Sequence, residues 1–109
     1  MAVTIDLNTG SVVFAGQSVV TDNTSTTATL QVKANKCYKF TRPLTQLTIE
    51  SVENSVLESE VIFTAGSSIK VTIPESVAFV STPSLINNKR HILSIKHNTA
   101  VLVSYSPKG

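Results

Sequence analysis

The sequence predicts an all-β domain, an antiparallel β-sandwich of Ig-like or jelly-roll-like type with about 8–11 short strands. Three observations predict it. Apolar residues recur at spacing two along almost the whole chain, with helical periodicity missing. The apolar runs are dominated by the β-branched types Val and Ile, with Thr between them. Turn-forming residues interrupt these runs at short intervals. The run Ser68-Ile69-Lys70-Val71-Thr72-Ile73 shows the pattern: Ile69, Val71 and Ile73 share one face, Ser68, Lys70 and Thr72 the other. Such a strand lies over a core with its second face in water. Leu47 and Ile49 alternate with Thr48 and Glu50 in the same way.

Taken in order, the strands are expected at 3–7, 11–14, 17–20, 27–33, 37–41, 46–52, 60–64, 68–73, 77–80, 90–97 and 100–105. Turns are expected at Asn8-Thr9-Gly10, Ala15-Gly16, Asp22-Asn23, Asn35, Arg42-Pro43, Glu53-Asn54, Ala65-Gly66-Ser67, Pro74, Pro83, Asn87-Asn88 and Asn98-Thr99. In the last strand, Ala100-Val101-Leu102-Val103-Ser104-Tyr105, both parities carry apolar residues. Such a strand asks for cover on both faces, from a loop or from another subunit. The Ser- and Thr-rich residues 18 to 31 read as a linker or as polar edge strands.

At 109 residues the chain holds one domain with one core, and it reads as a complete small product. It is 41% hydrophobic and 15% charged, so its surface relies on Ser, Thr and Asn more than on charge. A net charge of +2 with scattered lysines does not make the basic, aromatic-interleaved footprint of a nucleic-acid partner. Cys37 is the single cysteine, which rules out an intramolecular disulfide and suits a reducing cytoplasm. No leader-like segment and no run of ~20 apolar residues appears, so a membrane partner is not expected.

Candidate chemistry is sparse. His91 and His97 are six apart on one expected strand, roughly 20 Å at ~3.3 Å per residue, too far to share a metal. They read as surface histidines flanking Leu93 and Ile95. Glu50, Glu53, Glu58 and Glu60 cluster around one expected turn and read as solvated rather than as an acid pair. Lys33, Lys36, Lys39 and Arg42, and separately Lys89, Arg90 and Lys96, read as solvated basic groups. Cys37 has no second thiol and reads as a small buried hydrophobe, while Tyr38 and Phe40 share a face and read as core. No catalytic, cofactor or metal site is expected, and the chain is expected not to be an enzyme.

The ordered segments "LTQLTIESV", "SEVIFTAG", "SIKVTIPESVAFV" and "TPSLINNKRHILSIKHNTAVLVSY" resemble a β-rich module of tailed-bacteriophage virion proteins, found in head fibre and decoration proteins, tail fibres and appendages. Leu47, Ile49, Phe63, Gly66, Ile73, Pro74, Val77 and Phe79 stand where the module has its turn and core residues. Phe79 takes the place of a frequent Trp, and Ser81-Thr82-Pro83 that of a Gly-rich turn. At Gly66 a tight turn with positive φ is expected, and at Pro74 the end of a ladder.

The resemblance covers residues 33 to 105 and implies a β-domain at 33–109 with an attachment or oligomerisation segment at 1–32. It implies a non-enzymatic virion protein, a head fibre or capsid decoration assembled in the host cytoplasm. Its partners would be the major capsid protein or other virion proteins and itself, as a homotrimer with Val101, Val103 and Tyr105 at the interface. The alternative is a tail or baseplate adhesin that binds host glycan.

Overall fold

The computed structural model describes 2–6 and 11–15 as strand backbone, and residues 18–105 in full. The turns expected at Asn8-Thr9-Gly10 and Gly16 lie outside the described residues. The chain is all-β: no helix occurs among the described residues. β1 (Ala2–Asp6) and β2 (Ser11–Ala15) pair antiparallel as a two-stranded ladder. The rest comprises β3 (Ser18–Asp22), β4 (Thr27–Val32), β5 (Lys36–Phe40), β6 (Leu44–Val52), β7 (Ser59–Thr72), β8 (Ala78–Phe79), β9 (Arg90–Lys96) and β10 (Thr99–Tyr105).

The arrangement is a winding of mixed sheets, which corrects the expected antiparallel sandwich. Parallel pairs join β3 to β5, β5 to β7, β4 to β6, β6 to β7 and β8 to β10. Apart from the β1–β2 ladder, antiparallel pairs are confined to β7–β9 and β9–β10 among the described residues. The physical reason is the path of the chain. Each turn after β3, β4, β5 and β6 carries it across to the other sheet, so a strand returns beside its predecessor pointing the same way.

Two sheets result, with β7 in both. Its first half lies with β3, β5, β9, β10 and β8 in the first sheet, and its second half lies beside β6 and β4 in the second. One revolution takes about 20 residues: Ser18 pairs with Lys36, Thr27 with Gln46 and Cys37 with Glu60. In the second sheet a short repeat is stacked in register, with Thr27-Ala28-Thr29-Leu30 beside Gln46-Leu47-Thr48-Ile49, and Gln46-Leu47-Thr48 beside Lys70-Val71-Thr72. Ala28 and Leu47 are buried and Val71 packs against the core, while Thr29 and Thr72 are exposed.

The core fills the space between the sheets. Tyr38, Phe40, Val61, Phe63, Leu93, Ile95 and Ala100 face it from the first sheet, and Ala28, Val32, Leu47 and Ile49 from the second. Tyr38 and Phe40 are therefore core residues. The Tyr38 hydroxyl accepts from the Lys33 amide at 3.0 Å and donates to the Gln31 carbonyl at 3.3 Å. The Ser59 hydroxyl donates to the Lys33 carbonyl at 2.6 Å. Buried polar groups at the β4–β5 corner are thus satisfied, as burial requires.

Successive corners also stack. The amides of Thr41, Thr45 and Glu53 donate to the carbonyls of Asp22, Thr26 and Val32 at 3.0, 2.7 and 2.9 Å. Residues 18–32, which the sequence reading placed in an attachment segment, form the first revolution of the winding through β3 and β4.

Two local expectations need correction. Ala65-Gly66-Ser67 is not a turn between two strands: β7 runs through it unbroken and changes sheets there. The positive φ lies at Ser68 (59°), and Gly66 needs no such angle. In addition, β9 stops at Lys96, and His97 and Asn98 form a two-residue hairpin with φ of 52° and 54°. Positive φ at both central residues is the geometry that matches strand twist in tight hairpins.

Candidate functional site

The residues that carry the module pattern fall along the inner side of the winding. Leu47, Ile49, Phe63 and Val77 are buried, and Ile73 and Phe79 are half-buried against the same core. Gly66 sits at the corner where β7 passes β6. A Cβ there would lie 2.6 Å from the Leu44 carbonyl oxygen, so close backbone approach is what demands glycine. After β7, the Pro74 carbonyl accepts from the Val77 amide at 3.0 Å, which turns the chain back to the core.

His91 differs from its expected surface position. It is 0% exposed, on the inner face of β9 with Leu93 and Ile95, and its ring stacks on Phe63 with centroids 5.3 Å apart and planes at 12°. Strand parity with Leu93 and Ile95 was the signal that should have placed it inside. Its Nε2 accepts from the Ile86 amide at 3.1 Å, and its Nδ1 faces the Lys89 carbonyl at 2.9 Å. This pair of contacts fits a neutral ring protonated at Nδ1, which ties down the loop between β8 and β9. His97, in contrast, is exposed in the hairpin.

Burial pushes the His91 pKa below its ordinary value, and the hydrogen bond to the Lys89 carbonyl opposes this only in part. A folded pKa below the unfolded one means that the unfolded chain binds the extra proton more readily. Stability contributed by His91 is then complete above pH ~6.5 and is lost as pH falls below that value. The urea midpoint should therefore drop between pH 7.5 and pH 5, and the drop should shrink in a His91→Gln chain. An equal pH dependence in both would reject this role.

At the first corner, Asp22 Oδ1 accepts from the Thr24 and Ser25 amides, each at 2.9 Å, and Oδ2 accepts from the Ser25 hydroxyl at 2.7 Å. The amide of Ser25, then that of Thr24, holds the Asp22 carboxyl down to about 2. The half-buried carboxylate folds the corner and leaves few acceptor positions for anything else.

Chemistry is thin elsewhere too. No group of three or more His, Cys, Asp or Glu is placed to hold a metal among the described residues. Glu50, Glu53 and Glu58 are exposed, and the Ala34 amide donates to Glu53 Oε1 at 3.3 Å. Cys37 is buried but lies on the outward side of β5, outside the core cluster. Burial pushes its thiol up, and the neighbouring Glu60 charge adds to this while Lys39 counteracts it.

Two surfaces remain. One is the open end of the first revolution, where β3 pairs only with β5 and β4 only with β6 among the described residues. Between them a cavity of about 200 Å³ is lined by Val20, Ala28, Leu30, Tyr38 and Phe40, with Asp22 and Ser25 also contributing. The other is the outer face of the first sheet. There Val101, Val103 and Tyr105 point away from the core and are 39%, 49% and 39% exposed. Among the described residues, the strand expected to need cover on both faces has it on one only. No protein-family model, curated protein or solved structure matches this chain.

Proposed function

We propose that this chain is a non-enzymatic structural protein of a tailed-bacteriophage virion, a head fibre or capsid decoration that attaches through its N-terminal region and presents its β-winding outward. The observation that carries the reading is the open end of the first revolution. β3 and β4 each leave one edge unpaired among the described residues, and the apolar cavity lies between those edges. Unpaired strand edges recruit extended segments of a partner through backbone hydrogen bonds, and an apolar recess gives such a strand somewhere to place alternate side chains. Both edges belong to residues 18–32, within the stretch from which the resemblance implies attachment. The residues that carry the resemblance pack the scaffold, so the reading assigns them a structural role.

Electron microscopy of purified particles, with a label on this chain, tests the proposal. Label distributed over the head is the expected result. Label confined to the tail tip would replace the reading by that of a tail adhesin, and particles without label would end it.

A further inference from the structure

We propose that the open end of the winding is the docking site of residues 2–15 of the same chain, which stack on it as a further revolution, β1 parallel beside β3 and β2 parallel beside β4. The inference concerns the chain by itself and does not rest on the virion reading. It begins with a repeat in the sequence.

Residues 2–14 align without a gap on residues 18–30, sixteen positions apart. Val3 and Asp6 meet identical residues in Val19 and Asp22, and Thr9 and Ser11 meet hydroxyl residues in Ser25 and Thr27. Val12 and Phe14 meet apolar residues in Ala28 and Leu30. The strands keep the same offset: Ala2–Asp6 answers Ser18–Asp22, and Ser11–Ala15 starts where Thr27–Val32 does.

The repeat extends to the corner between the strands. Asp22 folds that corner by accepting from the Ser25 amide and hydroxyl. Asp6 and Thr9 repeat the pair at the same spacing, and a Thr hydroxyl serves such a corner as a Ser hydroxyl does. Residues 2–15 thus carry both the strands and the corner chemistry of one revolution. A repeat of this kind buries its apolar side only by stacking on a neighbour.

The open end fits that segment. β3 and β4 each leave one edge unpaired among the described residues, with the cavity of about 200 Å³ between them. Val20 lines this cavity and is still 46% exposed. On β4, Ala28 and Leu30 hold the inner parity while Thr27 and Thr29 are exposed. The offset sets positions 12 and 14, a valine and a phenylalanine, beside Ala28 and Leu30, and Ser11 beside Thr27. The inner rows of the new rung are then apolar at the mouth of the cavity.

The connection also reaches. From Ala15 to Ser18 is three residue steps, about 10–11 Å when extended, enough to cross the ~10 Å between facing sheets. In the structure β1 and β2 pair with each other and with no other strand among the described residues. A two-stranded ladder by itself is marginal in water. Stacking exchanges that one ladder for two, each laid on a sheet already formed, and removes apolar surface from water. The free edges pass to residues 2–6 and 11–15, and any other strand that uses β3 or β4 has to displace this segment.

The two arrangements give Val13 different neighbours, which NMR on the full 109-residue chain separates. In the ladder Val13 pairs with Thr4, and in the stacked rung it lies beside Thr29. The expected result is a methyl nuclear Overhauser contact between Val13 and Thr29 within one chain. The amides of β3 and β4 that point away from β5 and β6 should also exchange about tenfold or more slower than in a Phe14→Asp chain, where a charge stands on an inner row. Amides between β5 and β7 should exchange alike in both chains, which separates loss of stacking from loss of fold. Absence of the Val13–Thr29 contact, edge amides that exchange equally fast in both chains, or a contact found only between labelled and unlabelled copies would each overturn the proposal.

Discussion

Phe63→Ala should destabilise the folded chain by about 3–5 kcal/mol, the range for deleting a buried phenyl ring. The residue is 0% exposed, at the inner face of β7 where the first sheet meets the core. Truncation there removes buried apolar area and leaves a space that neighbours on paired strands can fill only in part. A second consequence is specific to this fold. The ring that stacks on His91 would be gone, and with it part of the burial that keeps the imidazole neutral and bonded to Ile86 and Lys89. The His91 pKa should rise toward the ordinary range, and the loop between β8 and β9 should exchange its amide protons faster. Urea unfolding gives the first quantity and an NMR titration the second. A loss under ~1 kcal/mol would mean that Phe63 is not central to the core.

Part of this architecture was legible in the residues and part was not, for definable reasons. Alternation such as Ile69-Lys70-Val71-Thr72 reports strand and buried face because both depend on local parity, and the observed burial of Leu47 and Ile49 follows it. The direction of pairing is not local. A three- or four-residue connection such as Thr41-Arg42-Pro43 can close a hairpin or turn a corner into a facing sheet, and the turn residues are the same in both. The signal that separates these is the repeat at about 20 residues, Thr27-Ala28-Thr29-Leu30 against Gln46-Leu47-Thr48-Ile49, which aligns in the observed register. It is four residues long and easily missed. His91 was misplaced although its parity with Leu93 and Ile95 was visible, because a polar ring on an apolar face reads as surface until its loop partners are known.

The outer-face surface was half legible. Val101, Val103 and Tyr105 stood out from a run apolar on both parities, and they are indeed exposed on one side. The open end was not legible, because the edges of β3 and β4 are left unpaired among the described residues only through their place at the start of the winding.

Gly66→Ala should cost about 2–3 kcal/mol or more, although it adds only one methyl group. The added Cβ would stand 2.6 Å from the Leu44 oxygen and 3.1 Å from the Leu44 carbonyl carbon. Both are backbone atoms, so no rotamer change relieves the overlap. Leu44 is itself fully buried and pairs with Ala65, and the β6–β7 register then jumps from Leu44–Ala65 to Gln46–Lys70. Relief would therefore require the two strands to separate at the point where β7 changes sheets. Two residues on, Ser68 carries φ of 59°, an angle that costs an L-residue roughly 1–2 kcal/mol. Ser68→Gly should consequently be neutral or stabilising by up to ~1 kcal/mol, the relief of strain offset by the greater freedom of the unfolded chain. Two residues of one corner should thus respond to glycine chemistry in opposite senses, one through contact and the other through backbone angle. Thermal or urea unfolding of the two variants decides it, and a Gly66→Ala chain as stable as the native one would mean that β6 and β7 do not approach this closely.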